Sequence, residues 1–310
     1  MIPSVDLKLR AMEPRDRYHI AELIHISINH WYKIHGRGRA FGGPLVTDVF
    51  YDVYEKMEPG NAVVVENMST GTLAGSCFYH PRPHHIALGI LNVHPNYFGY
   101  GVGKTLVQHG INWANRDGKP LRLTQSAINL DSFSLYNKMG FVPRHVFQDM
   151  TVPVPPEGLA FRVPGDERVR DAGPEDVKAM VELEMEVSGI SREIDCRYCI
   201  GNADGFWHVA VHETSGRVDG WIMSIDHPGA NFVGPCVARN EEVAAALILR
   251  ELDRHRGKSP IFLVPCECAS LVRRVYDWGG RNTELHLCQV CGKFQPFKGI
   301  SMPVFMPETG

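Results

Sequence analysis

The sequence has no apolar run approaching the ~20 residues that a membrane-crossing helix needs. It also has little net charge, a formal -3 over 310 residues, which gives no electrostatic footprint for nucleic acid. Met1-Ile2-Pro3-Ser4-Val5-Asp6 leads into no apolar stretch of the signal-peptide kind, so the cytoplasm is the expected compartment. In that compartment the eight cysteines are expected as reduced thiols or metal ligands, not disulfides. Thirty Gly and 21 Pro are ordinary proportions and exclude collagen-like or low-complexity chains.

What is present is a soluble, globular composition at about twice the usual domain length, so two domains are expected. Residues 1–155 carry 15 Lys+Arg against 12 Asp+Glu, and 156–310 carry 17 against 23. The first half is therefore mildly basic, which favours an anionic ligand there. Val152-Pro153-Val154-Pro155-Pro156-Glu157-Gly158, continuing to Val163-Pro164-Gly165, cannot lie inside a helix or a central strand. It predicts a linker at 153–165 between domains at 1–152 and 166–310.

The two halves echo each other. Arg10, Pro14, Asp16, Glu22 and Leu23 recur as Arg170, Pro174, Asp176, Glu182 and Leu183, at an offset of 160. Hairpin-like runs at 62–75 and 208–220 follow, and then Tyr136 with Gly140 against Tyr276 with Gly280. Three matches in one order argue for two copies of one fold. In the first copy, strands are expected at 7–11, 61–66, 72–80, 85–93, 120–125 and 144–151. Helices are expected at 14–34, 47–58, 101–116 and 130–139. That pattern is mixed α/β of the α+β kind, with a largely antiparallel sheet.

The richest stretch runs from Leu88 to Val107. A β-prone run ends at Val93, glycines follow at 99, 101 and 103, and an amphipathic helix begins. Glycine permits positive φ and close approach to the backbone. Free amides at a helix start, aided by the helix dipole and Lys104, form an anion nest suited to a pyrophosphate. The spacing fits neither a P-loop nor a dinucleotide fingerprint.

Phe98-Gly99-Tyr100-Gly101-Val102-Gly103 resembles motif A of the GNAT superfamily of acetyl-CoA-dependent N-acetyltransferases, Gln/Arg-x-x-Gly-x-Gly/Ala. Phe98 stands where that motif has a basic or amide residue. Asn129 through Phe141 is similar to motif B, with Asn129, Ser132, Leu135, Tyr136, Lys138, Gly140 and Phe141 in register. The resemblance covers roughly residues 7–151 and implies two tandem GNAT-like folds. It implies acetyl-CoA as co-substrate, held by Phe98, Gly99, Tyr100, Gly101, Val102, Gly103 and Lys104, with Asn129 and Tyr136. It also implies that the strand before the loop splays from its neighbour, so that backbone groups of Leu91, Asn92 and Val93 hold the pantetheine arm. Tyr136 matches the position of the acid that protonates the departing thiolate.

Where relatives place a basic Glu on the fourth strand this chain has Ala87, and no carboxylate lies in 80–95. His80-Pro81-Arg82-Pro83-His84-His85 offers imidazoles instead, and strand alternation singles out His85 as a base, with a water chain as the alternative. Gly36–Pro44, with Arg37 and Arg39, is a candidate clamp for a carboxylate or phosphate on the acceptor.

In the second half the stretch matching motif A reads Ala238-Arg239-Asn240-Glu241-Glu242, without the glycine pair and with carboxylates that would repel a pyrophosphate. That half is expected to be a degenerate copy, with Tyr276 structural. Cys196/Cys199, Cys266/Cys268 and Cys288/Cys291 have knuckle-like spacing, but buried thiols are the simpler reading and no metal is expected. The expected activity is acetyl transfer to a small-molecule or peptide amine, with no nucleic acid or membrane partner. The alternative is a non-catalytic acyl-CoA-binding regulator.

Overall fold

The alternating and amphipathic segments form thirteen strands and eight α-helices among residues 5–307, which the computed structural model describes. The mixed α/β class holds. By packing, the chain divides into two compact units. One contains the described residues up to 81 with 86–121; the other contains 82–85 with those from 122 onward.

The first unit comprises β1 (Leu7–Ala11), α1 (Arg17–Ile34), α2 (Asp48–Met57), β2 (Ala62–Asn67), β3 (Thr72–Pro81), β4 (Ile86–Val93) and α3 (Val102–Asp117). Its strands pair antiparallel in the order β1-β2-β3-β4. β3 is buried from Leu73 to His80 on both faces, because helices cover both. Tyr79 points towards α3 and donates its hydroxyl to the Leu106 carbonyl at 2.6 Å. Phe78 and His80 point the other way, against Tyr54 of α2, with ring centroids 5.0 and 4.5 Å apart. The β3–β4 register runs Ser76 opposite Asn92, Cys77 opposite Leu91 and Tyr79 opposite Leu88. Gly89 and Ile90 therefore share one partner, a β-bulge midway along β4.

β5 (Leu121–Ser126) leads into the second unit. There follow α4 (Leu130–Lys138), β6 (Val142–Thr151), β7 (Val169–Asp171), α5 (Val177–Ser188), α6 (Glu193–Gly201), β8 (Trp207–Thr214), β9 (Arg217–His227) and β10 (Ala230–Ala238). After these come α7 (Glu241–Leu252), β11 (Ile261–Pro265), α8 (Ala269–Asp277), β12 (Arg281–Cys291) and β13 (Ile300–Met302). The strand order is β5-β12-β6-β11-β10-β9-β8-β7, with β13 on β10. The Ala-rich face of α7 lies over β9 so closely that a Cβ on Gly220 would come within 2.6 Å of Val243.

The internal repeat survives to the level of single hydrogen bonds. Arg10 bonds both oxygens of Asp16 at 2.7 and 2.9 Å, and that carboxylate also accepts from the Glu13 amide at 2.8 Å. At the 160-residue offset, Arg170 bonds both oxygens of Asp176 at 2.8 Å, and Asp176 accepts from the Gly173 amide at 2.8 Å. Each device turns the chain from a first strand into a first helix.

Packing divides the chain elsewhere than the Pro/Gly stretch at 153–165. β6, which precedes that stretch, pairs antiparallel with β11 and β12, which follow it. β12 lies between β5 and β6, and the Ala127 amide donates to the Leu285 carbonyl at 2.8 Å. The repeats read from the sequence and the units formed by packing are thus different divisions of one chain.

Candidate active site

The glycine loop is held at the end of β4 by close backbone packing. A Cβ on Gly75 would lie 2.5 Å from Val102 and 2.9 Å from the Asn92 carbonyl, so only glycine lets the first turn of α3 sit on β3. The His94 amide donates to the Ala74 carbonyl at 2.9 Å, and Asn67 donates to the Tyr97 hydroxyl at 3.0 Å. Gly99 and Gly101 have φ of 82° and 81°, the left-handed region that side chains resist. They turn the chain so that α3 starts at Val102.

No side chain caps that helix start. The amides of Val102, Gly103 and Lys104 have no carbonyl one turn back, and Lys104 is exposed beside them. A Cβ built on Gly101 would meet nothing within 4 Å, so the nest is open. These are the features a pyrophosphate needs. Phe98 and Tyr100 flank the turn. Phe98 is exposed, and its ring lies 6.1 Å from that of His30 on α1.

Leu91 and Val93 are half-buried on β4, while Asn92 is buried and accepts a hydrogen bond from the Ser27 hydroxyl of α1 at 2.7 Å. The Asn92 side chain is committed to α1, so any contact with a pantetheine arm would come from its backbone. His94 accepts from the Asn96 amide at 3.1 Å, and burial depresses its proton affinity.

A cleft of ≈ 420 Å³ opens between the C-terminal half of α1 and the following loop. His25, His30, Lys33, Arg37 and Arg39 line it, and no carboxylate occurs anywhere in 23–47. Asn29 pins the loop: its oxygen accepts from the Ala40 and Phe41 amides at 2.9 and 3.0 Å, and its nitrogen donates to the Phe41 carbonyl at 2.9 Å. The Gly/Arg loop is thus tied back to its own helix. Asn29 had no sequence signal, because an Asn within an amphipathic helix reads as a solvated residue.

His85 has the wrong surroundings for a base. It is 1% exposed, and burial together with Arg122, Arg82 and Arg192 pushes its proton affinity far down. Burial first, and the nearby guanidiniums second, disfavour the imidazolium that a base has to become. Strand alternation singled it out without knowledge of those arginines, two of which are distant in sequence. His80, from the same stretch, lies instead in the first unit, with Nδ1 3.1 Å from Glu58 and both side chains buried.

Tyr136 belongs to the second unit, on α4. It is buried there, with its ring 5.6 Å from that of Phe141. Asn129 caps α4 by accepting from the Ser132 amide at 3.1 Å, so that motif position has a local structural task. In the second half Asn240 caps α7 by accepting from the Val243 amide at 3.0 Å, and Glu241 accepts from the Leu271 amide at 2.6 Å. The helix start matching α3 is therefore capped from within. Tyr276 is exposed and donates to Gln148 at 2.9 Å. All eight cysteines are free thiols. Cys196 and Cys199 are fully enclosed, and burial raises their thiols well above the usual range. Among the described residues no three His, Cys, Asp or Glu side chains gather as a metal set, and no helix is long and apolar enough to cross a membrane.

Residues 17–141 match the Acetyltransferase (GNAT) family. No curated protein matches the sequence. Among solved structures the chain is similar to a candidate acetyltransferase from Pyrococcus horikoshii, with 14% identity and a TM-score of 0.72 over 95% of this chain and 92% of that one. It is similar to a GCN5-related N-acetyltransferase from Sphaerobacter thermophilus, with 20% identity and a TM-score of 0.62 over 95% and 97%. A tandem GNAT protein from the clavulanic acid biosynthesis pathway shares 14% identity and a TM-score of 0.60 over 92% and 98%.

Proposed function

We propose, starting from a chain whose residues 17–141 match the GNAT acetyltransferase family and whose fold is that of tandem GNAT proteins, that it moves acetyl from acetyl-CoA to a primary amine on a negatively charged acceptor. The observation that carries this reading is the uncapped start of α3, turned outward by Gly99 and Gly101 at the end of β4. The pyrophosphate would sit on the amides of Val102, Gly103 and Lys104, and the pantetheine arm would follow the backbone of Leu91–Val93. Tyr136 is proposed as the acid that protonates the thiolate, since a phenol of pKa ~10 suits that leaving group. The acceptor would occupy the cleft beside α1, whose lining of Lys33, Arg37 and Arg39 favours a carboxylate or phosphate over a polyamine.

The repeat units 1–152 and 166–310 are taken as two GNAT-like copies, of which the second has lost its cofactor site. Cytoplasmic acetyl-CoA is the proposed donor pool.

Titration calorimetry with acetyl-CoA, paired with CoA release on β-alanine and other carboxylate-bearing amines, tests the reading. Gly101→Glu adds a like charge and a side chain at a left-handed φ, and is expected to abolish acetyl-CoA binding. Unchanged affinity would overturn the assigned loop. Tight binding without CoA release on any amine would favour the regulator.

A further inference from the structure

The face of β3 and β4 that looks towards α1 and α2 carries an unusual set of enclosed polar atoms. His80 Nε2, Ser76 Oγ and Asn92 Nδ2 are all buried, and none has a protein hydrogen-bond partner among the described residues. An enclosed polar group without a partner costs about 1–3 kcal/mol, so three on one face call for an explanation. Ser76 and Asn92 are cross-strand neighbours, and His80 lies four residues further along β3, about 13 Å away at strand rise.

His80 is not simply a core histidine. Its other nitrogen, Nδ1, faces Glu58 at the C-terminus of α2, 3.1 Å away. With Nδ1 as the donor in this contact, the tautomer a carboxylate acceptor favours, Nε2 keeps its lone pair. Tyr54 packs on the ring from the helix side. On the strand side, Nε2 lies over the bulge in β4: a Cβ on Gly89 would come within 2.6 Å of it. Gly89 thus leaves the lone pair facing the bulged backbone of β4, between Ala87 and the Leu91–Val93 segment.

We propose that His80, oriented by Glu58, is the base that deprotonates the acceptor, and that Ser76 and Asn92 line the hydrated path to it. This rests on the acetyl-transfer reading above. The acceptor ammonium gives one proton, through water, to His80 Nε2. The freed nitrogen lone pair forms the N–C bond to the thioester carbonyl. The C–S bond then breaks and sulfur leaves with the electron pair. The second nitrogen proton neutralises the thiolate by way of the acid, and the imidazolium returns its proton to solvent. Glu58 touches no reacting atom and is a positioning residue.

The test uses the full chain with two near-isosteric probes, β-alanine and aminooxyacetate. Both carry a carboxylate, but the aminooxy nitrogen is already unprotonated at neutral pH and needs no base. His80→Gln is expected to lower kcat/KM for β-alanine by about 10²–10⁴ at pH 7, the usual worth of a general base. Its deficit should shrink as pH rises and be at most about tenfold for aminooxyacetate. Glu58→Gln should show the same split, and acetyl-CoA affinity should stay within about twofold in both variants. An equal loss on both probes at every pH would mean a structural role and overturn the proposal.

Histidine ¹⁵N NMR of the acetyl-CoA complex needs no acceptor, and it decides the matter even if neither probe reacts. The Nδ1–H tautomer at His80, redistributed by Glu58→Gln, is expected; an Nε2–H tautomer would overturn the dyad. Failure of acetyl-CoA to bind would instead remove the underlying transferase reading.

Discussion

A cationic side chain at the mouth of a cleft acts on a ligand through a field that water and salt partly screen. Lys33 and Arg39 are exposed, so each is expected to contribute at most about 1 kcal/mol to holding a carboxylate, roughly fivefold in affinity. Lys33→Ala with Arg39→Ala should therefore raise KM for a carboxylate-bearing amine, by up to about 25-fold. The same pair should flatten the dependence of KM on salt and leave acetyl-CoA affinity unchanged. Steady-state kinetics between 20 and 300 mM salt would check this. An unchanged KM for the carboxylate-bearing amine would exclude the cleft as an anion clamp, whereas an uncharged amine should be indifferent to the double substitution. The loop is held in place by Asn29, so the substitutions should alter charge without releasing the loop.

At the scale of the element, the strand-to-helix turns of the two halves are built alike but are not equally protected. Burial alone would raise the Asp16 carboxyl, but the Arg10 hydrogen bonds and the Glu13 amide outweigh it and hold it below the usual range. For Asp176 the Arg170 hydrogen bond is the largest influence, and it too lowers the carboxyl. A carboxyl depressed in the folded state adds stability that is present above its unfolded value of about 4 and lost as pH falls through the folded one. Asp16→Asn is expected to lower stability at pH 7 by about 1.5–3 kcal/mol, the range for a hydrogen bond to a charged group. It should also flatten the acid limb below pH 4. Arg170 is 44% exposed at its side chain against 18% for Arg10, so Asp176→Asn should do less. Thermal melts from pH 2 to 7 would show the order.

These turns were legible in the sequence because Arg, Pro and Asp recur at a fixed offset and act locally. The glycine loop was legible for the same reason: φ at Gly99 and Gly101 is a property of those residues alone. His80 with Glu58 was not, since a pair 22 residues apart on a strand and a helix end leaves no periodic mark. Strand alternation marks His85 but cannot reveal the burial and the guanidinium neighbours that disfavour its charged form.

At the scale of the whole molecule, the consequential feature is where the last strand of each repeat pairs. β6 ends the first repeat yet pairs with β11 and β12 of the second, and β12 lies between β5 and β6. Local pattern could not reveal this, because β6 and β12 both alternate well enough to suit either neighbour, and register between distant strands is set by packing. Neither repeat should therefore be self-sufficient. A fragment ending at residue 152 would present β6 without β11 or β12, leaving its ladder groups unpaired and Phe147 and Met150 uncovered. A fragment starting at 166 would lack β6 between β12 and β11, a gap in the middle of a sheet. Open edges of that kind aggregate. Expressed singly, both fragments are expected to be insoluble or unfolded by circular dichroism. Co-expressed, they should assemble into a 1:1 complex with the melting behaviour of the intact chain. Two-state folding of either fragment alone, with native-like near-ultraviolet signal, would show that the interleaved strands are dispensable and that the Pro/Gly segment at 153–165 is a true domain boundary.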